Sequence, residues 1–94
     1  MSEAIDIGRS LEAALRGGFS LRQALVQASV DHPGLVGVAR AARFGPLEAA
    51  LDVWQATLPD SDTALYVAAA RLQLEDHGNL ADKFGMLSLI LERR

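Results

Sequence analysis

The residues of this chain that could carry out chemistry are few and lie far apart. The two histidines stand alone, His32 before a proline and His77 at a predicted helix end. Neither has a second histidine or a glutamate at the spacing that metal ligands on a helix require. We therefore expect both to be structural, with His77 favoured by the negative end of the local helix dipole.

Two acidic pairs could act in acid-base catalysis or bind a divalent metal. Asp60 and Asp62 precede an apolar helix, and aspartate at a helix start stabilises it by about 0.3 to 1 kcal/mol. We expect these two residues to be caps and Glu75-Asp76 to belong to a solvated face. No metal site is predicted.

Motifs for nucleophilic catalysis and phosphate binding are missing from the sequence. No serine lies in a Gly-x-Ser-x-Gly turn, and Gly17-Gly18 is not followed by Gly-Lys-Ser/Thr. The chain has no cysteine, which excludes disulfides and thiolate metal sites. Catalysis is the least supported function, and we expect the protein to be neither an enzyme nor dependent on a cofactor.

Four arginines are better candidates for a functional surface. Arg40 and Arg43 lie on one side of a short predicted helix, and Arg16 and Arg22 could lie nearby in the fold. Arginine is favoured in interfaces because its planar guanidinium pairs bidentately with carboxylates. A solvated face is the commoner explanation for such charges, and the alternative is a docking patch for an acidic partner or for lipid head groups.

Composition limits the class of protein. The 94 residues suffice for one domain, which removes about 60% of its unfolded surface from water, so every helix must contribute to one core. A net charge of −3 with dispersed basic residues disfavours nucleic-acid binding. The longest apolar run, Ala64–Ala70, is far short of the roughly 20 residues that cross a bilayer. We expect this segment itself to be soluble.

The apolar spacing predicts six helices and no strand. They begin at about Glu3, Ser20, Leu35, Pro46, Asp60 and Asn79. The first ends at Arg16, and Ser20 and Gln23 form a capping box at the second. The predicted buried stripes are Ala4, Gly8, Leu11 and Leu15; Leu21, Ala24, Leu25 and Ala28; Leu35, Val38, Ala39 and Ala42; Leu47, Ala50, Leu51 and Trp54; Leu65, Ala68, Ala69 and Leu72; and Leu80, Phe84, Leu87 and Leu91.

A glycine followed by a helix-starting residue and a leucine occurs three times, at Gly18, Gly45 and Gly78. Glycine can close a helix in the left-handed conformation without steric cost. Each copy is therefore predicted to be a tight corner between two helices. The sequence predicts an all-α, compact antiparallel six-helix bundle.

Three stretches carry a resemblance to a known family: Leu11–Leu25 (LEAALRGGFSLRQAL), Gly45–Leu51 (GPLEAAL) and Ala70–Ala81 (ARLQLEDHGNLA). Their order and spacing resemble the cytoplasmic domain of the type II secretion system F family. The chain is most similar to the inner-membrane platform proteins of tight-adherence (Flp) pilus assembly. The resemblance extends from about Ile7 to Arg94.

The resemblance implies a six-helix domain on the cytoplasmic face of the bacterial inner membrane, carried by flanking transmembrane helices. It implies a non-catalytic platform that couples a hexameric secretion ATPase to pilin movement, with a paralogous platform protein or a second copy as further partners. Residues 1–94 would then be one domain excised from a longer membrane protein. The absence of a membrane span and the short second and third helices depart from the family pattern.

Two other functions remain open at this stage. Leu11–Val30 could be a helix-turn-helix in a small DNA-binding regulator, with Ser20-Leu21-Arg22-Gln23 opening the recognition helix. The acidic balance and the absence of a basic face argue against that function. A helical subdomain of a larger enzyme is a third alternative, for which no site is apparent.

Overall fold

The computed structural model describes residues 2–75 and 79–94. Its elements are α1 (Glu3–Arg16), α2 (Leu21–Asp31), a single 3-10 turn (Pro33–Leu35), α3 (Val36–Phe44), α4 (Leu47–Thr57), α5 (Ser61–Glu75) and α6 (Leu80–Glu92). The described residues contain no strand. The prediction of an all-α, six-helix bundle is confirmed.

The helices pack in chain order, and the last helix returns to the first. Each of α1 to α5 contacts the helix that follows it, and α6 packs along α1. Helix α1 also contacts α5, so it has neighbours on three sides. This closed arrangement allows every helix to contribute to one core, as a small domain requires.

The corner between α1 and α2 has the predicted left-handed glycine. Gly18 has φ +96°, and its amide donates to the carbonyl of Leu15, while the amide of Phe19 donates to the carbonyl of Ala14. These two bonds form a Schellman motif. Ser20 then begins α2 with the predicted capping box: Gln23 N donates to Ser20 Oγ at 3.2 Å and Ser20 N to Gln23 Oε1 at 2.9 Å.

The prediction of a left-handed corner at Gly45 is wrong. Gly45 is extended, with φ −143° and ψ −179°. Two effects explain the extended backbone of Gly45. The residue before a proline is driven towards extended backbone, and the Arg22 guanidinium donates to the carbonyls of Ala42 and Gly45, which supplies partners for the end of α3. The third predicted corner, Gly78, lies outside the described residues.

The centre of the core is a group of three aromatic rings from α4, α5 and α6. Trp54, Tyr66 and Phe84 are fully buried. Phe84 packs edge-on against both of the others, with ring centroids 6.4 Å from Trp54 and 5.4 Å from Tyr66. Such edge-to-face pairs add to the stabilisation from burial alone. The predicted core position of Trp54 is confirmed.

Most predicted stripes are buried, but the face assigned to α5 is wrong. Leu65 is 45% and Leu72 is 60% exposed, Ala68 is exposed and Ala69 half-buried. The buried face is instead Thr63, Tyr66, Val67 and Ala70. Because α5 carries apolar residues around its whole circumference, its spacing permits either face.

Contacts with α1 select the face of α5 that is buried. A Cβ on Gly8 would overlap the Tyr66 ring, so only glycine allows the tyrosine ring to pack there. The Tyr66 and Ser88 hydroxyls share a buried hydrogen bond of 2.7 Å. Burial raises the pKa of Tyr66 above its ordinary value, which keeps this phenol neutral. The tyrosine therefore joins α5 to both α1 and α6.

Candidate interaction surfaces

The residues considered for acid-base or metal chemistry have structural contacts. Asp60 Oδ1 accepts a hydrogen bond of 2.7 Å from Thr63 N, which confirms its capping role. Asp62 is not a cap in this way; its carboxylate accepts two bonds from Arg94 at 2.7 and 2.8 Å. His32 Nε2 lies 3.1 Å from Ser10 Oγ.

The other chemical candidates cannot be placed, because Asp76, His77 and the side chain of Glu75 lie outside the described residues. Within residues 2–75 and 79–94, no three histidine, aspartate or glutamate side chains converge as a metal site would require.

Arg16 belongs to a network of charges between α1 and α6. It donates to Asp82 Oδ1 at 3.0 Å and, through two nitrogens, to Glu12 Oε2 at 3.0 and 2.9 Å. Arg9 donates to the other Glu12 oxygen at 2.9 Å and to both Glu92 oxygens at 2.8 and 3.1 Å. Five charges of alternating sign therefore join the two helices.

These contacts shift the ionisation of the network. The hydrogen bond from Arg9 holds the pKa of Glu92 below its ordinary value, and the hydrogen bonds to Glu12 and Asp82 raise the pKa of Arg16. A Cβ on Gly85 would lie 2.6 Å from Glu12 Oε2, so the network sits directly over a glycine of α6. Arg16 is thus committed to neighbours within its own chain.

The other three predicted arginines lie on α2 and α3. Arg22 of α2 is half-buried, and its guanidinium lies at the end of α3. Arg40 and Arg43 of α3 are exposed and form no ion pair with a described carboxylate. Arg22, Arg40 and Arg43 thus lie together, whereas Arg16 pairs with Glu12 and Asp82. The docking role of the four arginines stays a prediction.

The three arginines line two adjoining clefts between α2 and α3 that share Arg43 and that we call the α2–α3 groove. One cleft contains Phe19, Arg22 and Gln27, and the other contains Val36, Arg40 and Phe44, with Arg43 common to both. Phe44 is 83% exposed and Val36 is 54% exposed. Apolar and cationic side chains thus alternate along one surface.

A second surface, the α5–α6 groove, is almost entirely apolar. It is lined mainly by Leu65, Ala68, Leu72, Met86 and Leu87, with Lys83 at its edge. Met86 is 64% exposed. Sequence reasoning missed this surface because it assigned the same α5 residues to the core. The sequence did carry a signal for it: α5 has two apolar stripes, and a helix at the surface of a bundle can bury only one of them.

The start of α2 is poorly suited to read DNA. Leu21 is buried, with 8% of its surface exposed, and the Arg22 guanidinium is bound to backbone carbonyls of α3 and the residue after it. A recognition helix uses side chains near its N-terminus to contact base edges. Ser20 and Gln23 bind each other in the capping box, so all four residues proposed for that role are engaged by the fold.

None of the helices in the described part of the chain combines the length and apolar character needed to cross a bilayer. Comparison of the chain with family models, curated proteins and solved structures found no match in any of the three.

Proposed function

We propose that this chain is a non-catalytic interaction domain of an inner-membrane platform for pilus assembly or type II-like secretion. In this role it would lie on the cytoplasmic face of the membrane, anchored by flanking segments of a longer protein. It would couple a secretion ATPase to pilin movement through contacts with the ATPase, a paralogous platform protein or a second copy.

The observation that carries the proposal is the α5–α6 groove. Leu65, Leu72 and Met86 expose about half of their surfaces or more. A bundle of this size needs large apolar side chains in its core, so leaving three of them exposed on one surface calls for an explanation. Contiguous exposed apolar surface marks sites of association. The family resemblance of the sequence supplies the type of assembly in which such a domain would be used.

Binding to the cognate ATPase and to the paralogous platform protein tests the proposal. The domain, immobilised through its N-terminus, is expected to retain at least one of them from purified components. A Leu72→Glu/Met86→Glu variant should lose about tenfold in affinity, because a charge in an apolar contact must be desolvated without a partner. Val30→Glu/Ala56→Glu is the matched control, since both residues are exposed and lie outside both grooves.

Absence of binding to both components and to a second copy would contradict the platform role.

The reading frame of the gene that encodes this domain gives an independent check. Apolar segments of membrane-spanning length on both sides of this domain are expected, and soluble domains on both sides would argue against the proposal. Salt-sensitive, sequence-selective binding of duplex DNA would instead favour the regulator.

A further inference from the structure

The α2–α3 groove differs from the rest of the molecule in charge. Helices α2 and α3 carry three arginines and a single carboxylate, Asp31, whereas the whole chain has a net charge of −3. The groove is therefore a local positive surface on a negative protein. Arg40 and Arg43 have no described carboxylate as a partner, so their guanidinium groups are available to a ligand.

The groove also contains apolar anchors beside those charges. Phe44 and Val36 lie next to Arg40 in one cleft, and Phe19 lies beside Gln27 in the other. Exposed aromatic side chains next to arginines are the residue types that dominate binding energy at protein interfaces. An occupant should match them with apolar residues on one side and acidic residues at the flanks.

From this arrangement we infer that the α2–α3 groove binds an acidic amphipathic helix of a partner protein. The helix would place apolar side chains against Phe44 and Val36 and its carboxylates against Arg40 and Arg43. The inference rests on the proposed interaction role and adds the chemistry of the partner.

A protein segment fits this surface better than an anionic bilayer does. The site is a groove between two helices, which can receive a helix along its length. Gln27 lines it with an amide donor and acceptor and Gln23 with its amide NH2 group, which complement polar side chains of a peptide.

Fluorescence anisotropy with three labelled synthetic peptides tests the inference. The first is an amphipathic helix of about three heptads, with leucine and phenylalanine on one face and glutamate elsewhere. The second replaces every glutamate with lysine. The third keeps the composition of the first but scrambles the pattern. The chain should bind the first at least about tenfold more tightly than the others, and added salt should weaken binding.

Charge-matched variants locate the binding site. Arg40→Glu/Arg43→Glu should weaken binding of the acidic peptide about tenfold or more, because each substitution replaces attraction by repulsion. Arg93→Glu, at the residue after α6, changes the net charge as much as Arg40→Glu alone and should have little effect. Phe44→Ser should weaken binding without changing charge. Circular dichroism of each variant checks that helix content is retained.

Undiminished binding by Arg40→Glu/Arg43→Glu, or equal binding of the scrambled peptide, would overturn the inference. Binding to phosphatidylglycerol vesicles without binding to the acidic peptide would replace it with a lipid contact. The outcomes also separate this inference from the platform role. Peptide binding in the groove by a domain that retains neither the ATPase nor the platform protein would support the groove and reject the platform.

Discussion

Helices α1 and α6 use the same residue types as α2 and α3, but with opposite results. Arg9 and Arg16 are held by carboxylates of their own chain, whereas Arg40 and Arg43 have none among the described residues. On α6 a phenylalanine is in the core, and at the end of α3 Phe44 is 83% exposed. For these residues α1 and α6 provide partners within the fold, whereas α3 leaves Arg40, Arg43 and Phe44 exposed.

Residue type alone therefore separates structure from function poorly in this molecule. What distinguishes an arginine that holds helices together from one that can bind a ligand is whether a carboxylate of the same chain reaches it. Substitutions made in matched pairs, one on each side, should reveal this difference as a difference in stability.

The two phenylalanines should give the largest contrast. Phe84→Ala removes the ring that contacts both Trp54 and Tyr66 and should lower the free energy of unfolding by about 3 to 5 kcal/mol. Phe44→Ala should change it by less than about 0.5 kcal/mol, because the side chain is already in solvent. Urea denaturation measures both. A large effect at Phe44 would place that residue in the core and remove it from the groove.

Two helical glycines provide the next contrast. Gly8→Ala forces a methyl group against the buried Tyr66 ring, and such overpacking costs about 1 to 3 kcal/mol. Gly37→Ala on α3 meets only Val53 Cγ1 at 3.8 Å and should stabilise the protein by about 0.4 to 1 kcal/mol. Thermal or urea unfolding of the two variants tests this. Equal effects would mean that α1 and α5 are less closely packed than described.

The two corner glycines should differ by less. Gly18→Ala places a side chain at φ +96° and should cost about 1 to 2 kcal/mol. Gly45→Ala keeps an extended backbone and brings a Cβ to 3.3 Å from the Ala41 carbonyl oxygen, so a smaller loss of stability is expected. A larger loss at Gly45 than at Gly18 would show that the corners are not formed as described.

The smallest expected effect is the pH dependence of the α1–α6 network. The pKa of Glu92 is lower in the folded chain than its ordinary value. The contact with Arg9 therefore adds stability above that value, and the stability is lost as the pH falls through the lower, folded pKa. The urea midpoints of wild type and Glu92→Gln should differ at pH 7 and converge on acidification. Arg40→Gln should show no such trend.

The sequence was informative where polar residues interrupt the apolar spacing. The faces of α1 to α4 could be predicted because each helix has one apolar stripe, and the corner at Gly18 could be predicted because its Schellman motif and capping box are local. The face of α5 could not, since both of its stripes are apolar and the choice depends on Gly8. The extended backbone at Gly45 could have been predicted in part, because Pro46 follows it. The bond from Arg22, 23 positions away, could not.

The candidate surfaces could likewise be predicted only in part from the sequence. Placing Arg40 and Arg43 on one side of α3 needed only helical spacing, whereas the contact of Arg16 with Asp82 depends on the pairing of α1 with α6. The α5–α6 groove is lined by apolar residues of the types found in a core. Only the packing of the helices shows that these residues stay exposed.

Because Trp54 is buried, its fluorescence reports whether the core of this chain stays closed to water. Trp54 is the single tryptophan, fully shielded from water and 6.4 Å from the Phe84 ring. Its indole emission should move to longer wavelength only when water reaches the core. Neither groove is lined by Trp54, so a ligand that docks on the surface should leave the spectrum unchanged. A ligand that shifts the emission has entered or loosened the bundle.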